Sequence, residues 1–561
     1  MMNILKNLPK RERNLMTDPL WYRTAVFYEV MVRAFHDSDG DGIGDLRGLI
    51  KRLDYLAWLG VDALWLPPIY PSPLRDGGYD VADYRAIDPR YGTMADFEEL
   101  IAEVHKRGMR ITIDLVMNHS SDQHPWFQAS RTDPDGPYGD YYVWSDTDQK
   151  WANARIIFTD HETSNWAWDS VREQFYWHRF YHHQPDLNFE NPKVQQEMMD
   201  IARFWLEKGI DGFRLDAVPY LFEDDSNGGE NDPRTHEYLR RFRAMVDAEF
   251  PGRVLLAEAN QPPEEAAAYF GTEEEPECHL CFHFPVMPRI FYSIKAQDAT
   301  KLREILHATP VPPAKGQWST FLRNHDELTL EMVTDQERRQ MFEWYAPHPQ
   351  MKANVGIRRR LAPLLDNSRH AMELAHALIL SLPGTPCLYY GDEIGMGDNV
   401  WLPDRDGVRT PMQWTPDRNA GFSRADPGAL NLPVVQSLLH HYNGVNVESS
   451  LMQPTSLLFW LRRFLTSRAQ HPAFADGGYA DVPSSESSVF SFLRTHPEES
   501  VLVAMNFSTN QCSTLLDLPD FAGRTVKTIV SNTPFQDVGD DGKLRLTFGP
   551  HSFYWLVIAH D

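Results

Sequence analysis

The sequence predicts an α/β protein built on a (β/α)8 TIM barrel, with a subdomain inserted after the third strand and an antiparallel β-sandwich at the carboxyl end. Three observations support this fold. Apolar, strand-like runs alternate with amphipathic helices, and the runs end in polar residues. The alternation stops over residues 120–185, a polar and aromatic-rich stretch that is too long for an ordinary strand-to-helix connection. Beyond about residue 480, short strands separated by Gly, Pro and Asn turns replace the alternation.

Eight strand-like runs define the barrel. The helix between the second and third runs shows the helical period clearly, because Phe97, Leu100, Ile101 and Val104 lie at i, i+3, i+4 and i+7. The predicted strands are 25–30, 61–66, 110–116, 212–218, 253–257, 280–284, 319–323 and 386–390 for the barrel, and 488–493, 500–506, 544–548 and 553–558 for the sandwich. The predicted domains are 1–118 and 186–480 for the barrel, 119–185 for the inserted subdomain B and 481–561 for the sandwich, with a lid-like insertion at 327–370.

Composition indicates a globular protein of two or three domains, since the chain has 561 residues of which 42% are hydrophobic. Its 54 Lys and Arg against 79 Asp and Glu give a net charge of −25, which argues against nucleic acid or an anionic membrane as a partner. Residues 1–18 lack the apolar region of a signal peptide, so we expect a cytoplasmic protein. Four cysteines argue against a disulfide framework, and we interpret the Cys278-x-x-Cys281 spacing as incidental. The sequence leaves open whether the protein is a homo-oligomer.

The first predicted metal site is an acidic loop that follows the first strand. Carboxylates at positions 1, 3, 5 and 9, a glycine at 6 and a backbone carbonyl at 7 resemble the front of a calcium-binding loop. Position 12 is Gly48 rather than the bidentate Glu of an EF-hand, so the loop is not an EF-hand. Because these carboxylates repel one another unless a cation lies among them, we expect a bound divalent ion rather than a solvated loop. The predicted ligands are Asp37, Asp39, Asp41, the carbonyl of Ile43, and Asp45.

Three carboxylates are predicted to meet at one face of the barrel. Asp216, Glu258 and Asp326 each follow a different strand, and catalytic residues drawn from several strand ends are typical of this barrel. Arg214 lies two residues before Asp216, so both side chains point the same way and the cation should keep the pKa of the carboxylate low. Glu258 lies between apolar residues, which should raise its pKa. An ionised carboxylate beside a carboxylic acid can cleave a glycosidic bond with retention, whereas Arg214 and Asp216 alone would also fit a structural ion pair.

Five motifs carry a resemblance to a known family. They are Asp114-Leu-Val-Met-Asn118-His119, Gln184-Pro-Asp186-Leu-Asn188, Gly212-Phe-Arg214-Leu-Asp216, Leu256-Ala-Glu258 and Phe321-Leu-Arg-Asn324-His325-Asp326. In this order they resemble the α-amylase superfamily, glycoside hydrolase family 13, and the resemblance covers essentially the whole chain.

The resemblance implies a role for each residue of the pocket. Asp216 would be the nucleophile, Glu258 the acid and base, and Asp326 the transition-state stabiliser. The substrate-binding residues that it implies are Asp76, Tyr79, His119, Gln184, Arg214, His325 and Arg409. An ion pair between Asp76 and Arg409 is expected to close one end of the pocket, so that the enzyme acts at a chain end.

The resemblance also implies a structural calcium site. Asn118 and Asp186 match the ligands of the family, and the carbonyls of Tyr220 and Leu221 together with Glu223 are expected to complete the shell, since this number of oxygen ligands suits Ca²⁺. Two structural divalent-ion sites are therefore predicted, with calcium as the expected ion and magnesium left open at one of them.

Within the family, residues 324–332 and 345–365 resemble the members that interconvert maltose and trehalose. The implied reaction is an intramolecular transglucosylation through a β-glucosyl-enzyme, with some hydrolysis to glucose. Segment 327–370 and subdomain B are expected to enclose the substrates and exclude water. The main alternative on the same catalytic residues is an α-glucosidase resembling oligo-1,6-glucosidase. A sucrose-isomerising enzyme, a glucan-extending transferase and a non-catalytic membrane-protein partner are further alternatives.

Overall fold

The computed structural model describes residues 17–225, 227–531 and 533–559. Residues 1–16, most of the stretch assessed for a signal peptide, lie outside these ranges. Within the described ranges, no helix combines the length and the apolarity needed to cross a membrane. The four cysteines are free, and Cys278 and Cys281 are both buried.

The catalytic region is a closed barrel of eight parallel strands, as predicted. Its strands are β1 (Phe27–Glu29), β2 (Ala63–Leu66), β3 (Arg110–Val116), β7 (Gly212–Asp216), β8 (Val254–Ala257), β9 (Leu280–Phe282), β10 (Gln317–Phe321) and β14 (Thr385–Tyr389), the intervening numbers belonging to strands described below. They pair in the order β1-β2-β3-β7-β8-β9-β10-β14, and β14 closes on β1. Every residue of these strands is buried, which explains their apolar sequences. The bounds of β3 match the prediction, whereas β10 begins two residues earlier than predicted.

The described residues form sixteen α-helices, most of which pack around the barrel. They are α1 (Trp21–Thr24), α2 (Val32–Phe35), α3 (Leu46–Leu59), α4 (Met94–Lys106), α5 (Pro125–Thr132), α6 (Pro192–Glu207), α7 (Pro233–Glu249), α8 (Pro263–Ala268), α9 (Val286–Ala296), α10 (Thr300–Ala308), α11 (Asp335–Tyr345), α12 (Leu361–Leu364), α13 (Arg369–Ser381), α14 (Val447–Leu451), α15 (Leu457–Gln470) and α16 (Ala473–Asp476). The predicted stripe of α4 is fully or almost fully buried, and a capping box between Thr93 and Asp96 fixes the start of this helix.

Two segments leave the barrel on the side where the strands end. The first follows β3 and contains a small antiparallel sheet in the order β4-β6-β5, formed by β4 (Trp144–Ser145), β5 (Trp166–Asp169) and β6 (Gln174–Trp177). The second follows β10 and consists of α11, α12 and a sheet in the order β11-β13-β12, formed by β11 (Leu328–Thr329), β12 (Lys352–Ala353) and β13 (Gly356–Ile357). We call the second segment, residues 327–370, the lid.

The carboxyl-terminal region is an antiparallel β-sandwich, as predicted. Its strands are β15 (Gly478–Asp481), β16 (Val489–His496), β17 (Glu499–Asn506), β18 (Cys512–Asp517), β19 (Val526–Thr528), β20 (Lys543–Phe548) and β21 (Phe553–Ile558). A five-stranded sheet, β15-β16-β17-β21-β19, faces the pair β18-β20 across a core that includes Leu502, Leu546 and Leu556. The sequence analysis missed β15, β18 and β19, which are short or alternate exposed and buried residues.

Candidate active site

The three predicted catalytic carboxylates lie at one rim of the barrel. Asp216 is the last residue of β7, Glu258 directly follows β8, and Asp326 lies five residues beyond the end of β10. Parallel strands deliver the residues at their carboxyl ends to the same rim, so the topology alone brings these side chains together. Gly212 permits the close contact of β7 with β8, because a Cβ atom there would lie 2.1 Å from the Val254 carbonyl oxygen.

One buried guanidinium group connects the carboxylates of this rim. The Arg214 Nη1 donates to Asp114 Oδ2 at 3.0 Å and also to Asp216 Oδ1, while its Nη2 lies 2.6 Å from Glu258 Oε1. The Ala217 N–H donates to the second Glu258 oxygen at 3.1 Å. Arg214 therefore orients Asp216 and Glu258 relative to each other, and it lies beneath the surface of the pocket.

Burial decides the pKa values of the two reacting carboxyls. Burial raises the pKa of Asp216 to about 6, although the Arg214 charge opposes this rise. The predicted low pKa of Asp216 is thus wrong, because the cost of desolvation exceeds the effect of the neighbouring cation. Burial also raises the pKa of Glu258, to about 7, and the charges of Asp216 and Asp326 add to this effect despite Arg214. The predicted rise in the pKa of Glu258 is therefore confirmed.

Asp326 lies in the opposite electrostatic environment. Burial opposes its ionisation, but His325, Arg405 and Arg409 outweigh burial and hold the pKa of Asp326 well below its usual range. His325 Nε2 lies 3.1 Å from Asp326 Oδ2, and Arg405 Nη1 lies 2.7 Å from Asp326 Oδ1. Asp326 is thus an ionised carboxylate that accepts from two arginines and lies beside His325.

The predicted ion pair between Asp76 and Arg409 is replaced by one between Asp76 and Arg405. Arg405 Nη2 donates to Asp76 Oδ1, and the Gln184 side chain donates to Asp76 Oδ2 at 2.9 Å. Arg409 instead donates through Nε to the His325 carbonyl at 2.9 Å and through Nη2 to Asp326 Oδ1 at 3.2 Å. A single 3-10 turn, Asp406–Val408, separates the two arginines, and its placement in the fold brings Arg405 rather than Arg409 to Asp76, which the sequence alone could not indicate.

The cavity at this rim is lined by residues from the barrel, subdomain B and the lid. The lining residues are Asp76, Tyr79, His119, Ile157, Phe158, Phe180, Asp216, Ala217, Tyr220, Glu258, Asn260, Phe284, Asn324, Asp326, Glu327, Thr329, Glu331, Val355 and Arg405. Four predicted substrate-binding residues, Gln184, Arg214, His325 and Arg409, are buried behind this lining. Tyr79 lies in the wall and stacks on His325, with ring centroids 5.2 Å apart and 11° between the planes. Burial lowers the pKa of His119 to about 3, so this ring is neutral.

Several lining residues were missed by the sequence analysis. Glu327 directly follows Asp326 and could have been inferred from that position. The sequence gives no indication of Glu331 or Asn260, because neither adjoins a predicted catalytic residue in the way that Glu327 does. Each becomes part of the cavity through contacts between segments that are distant in sequence. Arg155 of subdomain B, for example, donates to Glu331 across 176 positions of sequence.

The acidic loop after β1 partly matches the predicted metal site. Asp37, Asp39 and Asp45 each place a carboxylate oxygen within 4.8 Å of the others, the one such group of acidic, His and Cys side chains in the described part of the chain. Asp41 lies outside this group, and its carboxylate accepts from the Ile43 N–H at 2.8 Å. Three clustered carboxylates need a countercharge, so these residues fit a divalent cation.

The second predicted metal site also has the chemistry of a cation site. Asp186 Oδ2 and Glu223 Oε2 are buried, and neither has a hydrogen-bond partner among the residues that the structure describes. Both residues line one cavity together with Tyr220 and Leu221, and the Leu187 N–H donates to the Asn118 carbonyl at 2.9 Å beside it. Burial raises the pKa of Glu223 to about 7 and that of Asp186 well above its usual range. A divalent cation would compensate both carboxylates.

A parallel barrel with an ionised carboxylate, a carboxylic acid and a shared arginine at its rim defines an enzyme that acts on glycosidic bonds. The chain belongs to the α-amylase family: residues 29–347 and 357–477 match the α-amylase catalytic domain, and residues 481–555 match the carboxyl-terminal domain of maltogenic amylases.

Curated relatives cover nearly the same length. The chain is 56% identical to the trehalose synthase of Pimelobacter sp. over 97% of this chain and 96% of that protein. It is 57% identical to the trehalose synthase/amylase of Mycobacterium tuberculosis over 97% of this chain and 91% of that protein. Among solved structures, the trehalulose synthase of Pseudomonas mesoacidophila is similar with a TM-score of 0.77 and 29% identity, over 96% of this chain and 99% of that chain.

The pKa values of Asp216 and Glu258 predict a narrow, bell-shaped pH profile. With an α-glucoside whose leaving group needs a proton, kcat/KM should fall below about pH 6, as Asp216 gains a proton, and above about pH 7, as Glu258 loses its proton. Because the two carboxyls interact, the two values belong to the pair. With α-glucosyl fluoride, whose leaving group needs no proton, the limb near pH 7 should disappear. A limb that persists there with the fluoride would remove Glu258 from the role of general acid.

Proposed function

We propose that the protein interconverts maltose and trehalose by intramolecular transglucosylation with retention. Asp216 would attack the anomeric carbon while Glu258 protonates the departing oxygen, which leaves a β-glucosyl-enzyme and a free glucose. The freed glucose would then return through its own 1-hydroxyl, with Glu258 as the base, so that two inversions give an α bond. The names of the relatives with 56% and 57% identity support this choice of substrates.

The observation that carries the proposal is the enclosure of the cavity. Trehalose forms only if the free glucose turns over before it escapes or water attacks, so the mouth has to be closed. In this structure Arg155 of subdomain B reaches Glu331 of the lid and donates to the Tyr220 hydroxyl at 3.0 Å. The Asn354 N–H of the lid donates to Asp160 of subdomain B at 2.8 Å. These contacts join subdomain B to the lid over the cavity, as retention of a freed glucose would require.

The base of the lid is attached to the chain that follows β14. Arg358 donates to the carbonyls of Leu402 at 2.9 Å and Asp404 at 2.5 Å. Arg359 lies 2.9 Å from Asp398. These bonds hold the lid beside Arg405, so the lid and the closed end of the pocket are parts of one unit.

Labelled glucose tests the proposal directly. With maltose as substrate and added ¹³C-glucose, trehalose should form with little label, because the exchange is internal. Asp216→Asn should give neither trehalose nor glucose. Formation of glucose alone would contradict the proposal and favour the α-glucosidase alternative. Label in trehalose in proportion to its share of the glucose pool would show that the exchange is not enclosed.

Loosening the lid should shift the product ratio. Arg358→Ala removes the bonds to Leu402 and Asp404, and if the closed lid loses about 1 kcal/mol, water access and the ratio of glucose to trehalose should rise about fivefold. Arg203→Ala, which removes a surface pair with Glu249, is the matched control and should leave the ratio unchanged. An unchanged ratio in Arg358→Ala would separate the lid from the control of hydrolysis.

We also propose two structural divalent cations, calcium being the expected ion. One would bind Asp37, Asp39 and Asp45, and the other would bind Asp186, Glu223 and neighbouring carbonyls. Elemental analysis of the purified protein should find two ions per chain, and chelation should lower the melting temperature because it leaves clustered carboxylates uncompensated. Asp37→Asn and Asp186→Asn should each remove one ion, whereas the exposed Asp200→Asn should remove none. A metal-free protein with an unchanged melting temperature would contradict both sites.

A further inference from the structure

Glu29 is a fully buried acidic residue close to the site that the proposed reaction does not use. It is the last residue of β1, it has no exposed surface, and it does not line the cavity. Its Oε1 lies 2.5 Å from His325 Nδ1 and 3.3 Å from the His325 backbone nitrogen, which donates to it. Its Oε2 is buried and has no hydrogen-bond partner among the described residues. A carboxylate in such a place is costly unless it is paired with a charge.

The imidazole of His325 lies between two carboxylates. Nδ1 faces Glu29, and Nε2 faces Asp326 Oδ2 at 3.1 Å. The Nδ1 contact is a hydrogen bond, whereas the Nε2 contact is an ion-pair distance that does not meet hydrogen-bond geometry. A buried ring enclosed by two carboxylates favours the imidazolium ion, because each carboxylate attracts its positive charge.

We propose that Glu29 is a positioning residue that keeps His325 doubly protonated and thereby holds Asp326 ionised and oriented toward the substrate. Glu29 would act through His325 and would not touch the sugar. The proposal needs only the glycosidic chemistry of this rim and does not depend on maltose being the substrate.

The other charges around the ring are compatible with this role. Burial lowers the pKa of His325, but Asp326 and Glu29 outweigh burial and raise this pKa to about 9. Other charged residues near His325 and its partner Asp326 are Asp114, Arg214 over the Tyr79 ring, Arg405 beside Asp326, and Arg409. Since three of these four are cations, the two carboxylates that contact the ring are what hold it positive.

The charge of Glu29 can be removed with little change of shape. Glu29→Gln still accepts from Nδ1 through its amide oxygen, but it no longer stabilises the imidazolium. Glu29→Asp keeps the charge on a shorter side chain. Glu393→Gln is the matched control, because Glu393 is a buried glutamate that accepts from the hydroxyls of Tyr28 and Tyr55 at 2.8 Å each, away from His325.

The experiment measures kcat/KM against pH with α-glucosyl fluoride, which removes the alkaline limb due to Glu258. The wild-type alkaline limb should lie near pH 9, where His325 loses its proton. In Glu29→Gln this limb should move down by about one pH unit or more, and above it kcat/KM should fall about tenfold per pH unit. Glu29→Asp should have lower activity but keep the wild-type alkaline limb near pH 9. Glu393→Gln should keep both the wild-type activity and this limb. The melting temperatures of all variants are measured in parallel.

Three results would overturn the proposal. A Glu29→Gln variant that loses the same factor of activity at every pH would show a packing role. A shift of the same size in Glu393→Gln would show a general effect of buried charge. If Glu29→Gln does not fold, the wild-type profile decides, because a profile with the fluoride that shows no alkaline limb near pH 9 would mean that the reaction does not need a cation at His325. A wild-type protein that turns over α-glucosyl fluoride but forms no trehalose would contradict the proposed function and leave this inference intact.

Discussion

The site depends on a single buried guanidinium group. Arg214 contacts three carboxylates, those of Asp114, Asp216 and Glu258, and has almost no exposed surface. Two of these carboxylates react in the proposed mechanism, and their separation is set by two nitrogens of one planar group rather than by independent loops. Without this cation, three carboxylates at one rim would repel one another, and the ends of β3, β7 and β8 could not stay closed around them.

The rim separates its carboxylates into two electrostatic classes. Asp216 and Glu258 share one cation and lie where burial dominates, so both have raised pKa values close to neutrality. Asp326 has His325 and two arginines, so it stays ionised. In the proposed reaction, the two groups that exchange protons or bonds are thus held near their point of titration, while Asp326, the proposed stabiliser of positive charge on the sugar, is held far from it.

The barrel and the three carboxylates were predictable because local patterns specify them. The periods of apolar residues give the strands, and parallel topology converts strand ends into one site. The two predictions that were wrong, the arginine that pairs with Asp76 and the pKa of Asp216, depend on the tertiary structure. Arg405 and Arg409 lie at the two ends of one 3-10 turn, and only the folded path shows which one reaches Asp76. The pKa of Asp216 depends on how much water the folded site excludes, which neither Arg214 nor any neighbour in sequence reveals.

The enclosure and the pKa values of the site depend on each other. The desolvation that raises the pKa values of Asp216 and Glu258 exists because subdomain B and the lid meet over the cavity through Arg155, Glu331 and Asn354. Opening the lid would admit water, weaken that desolvation and lower both pKa values toward those of free carboxyls. Glu258 would then lose the proton that the first step needs. The same closure that retains a freed glucose is therefore also a condition for acid catalysis, so an open lid would slow cleavage and would expose the intermediate that still forms to water.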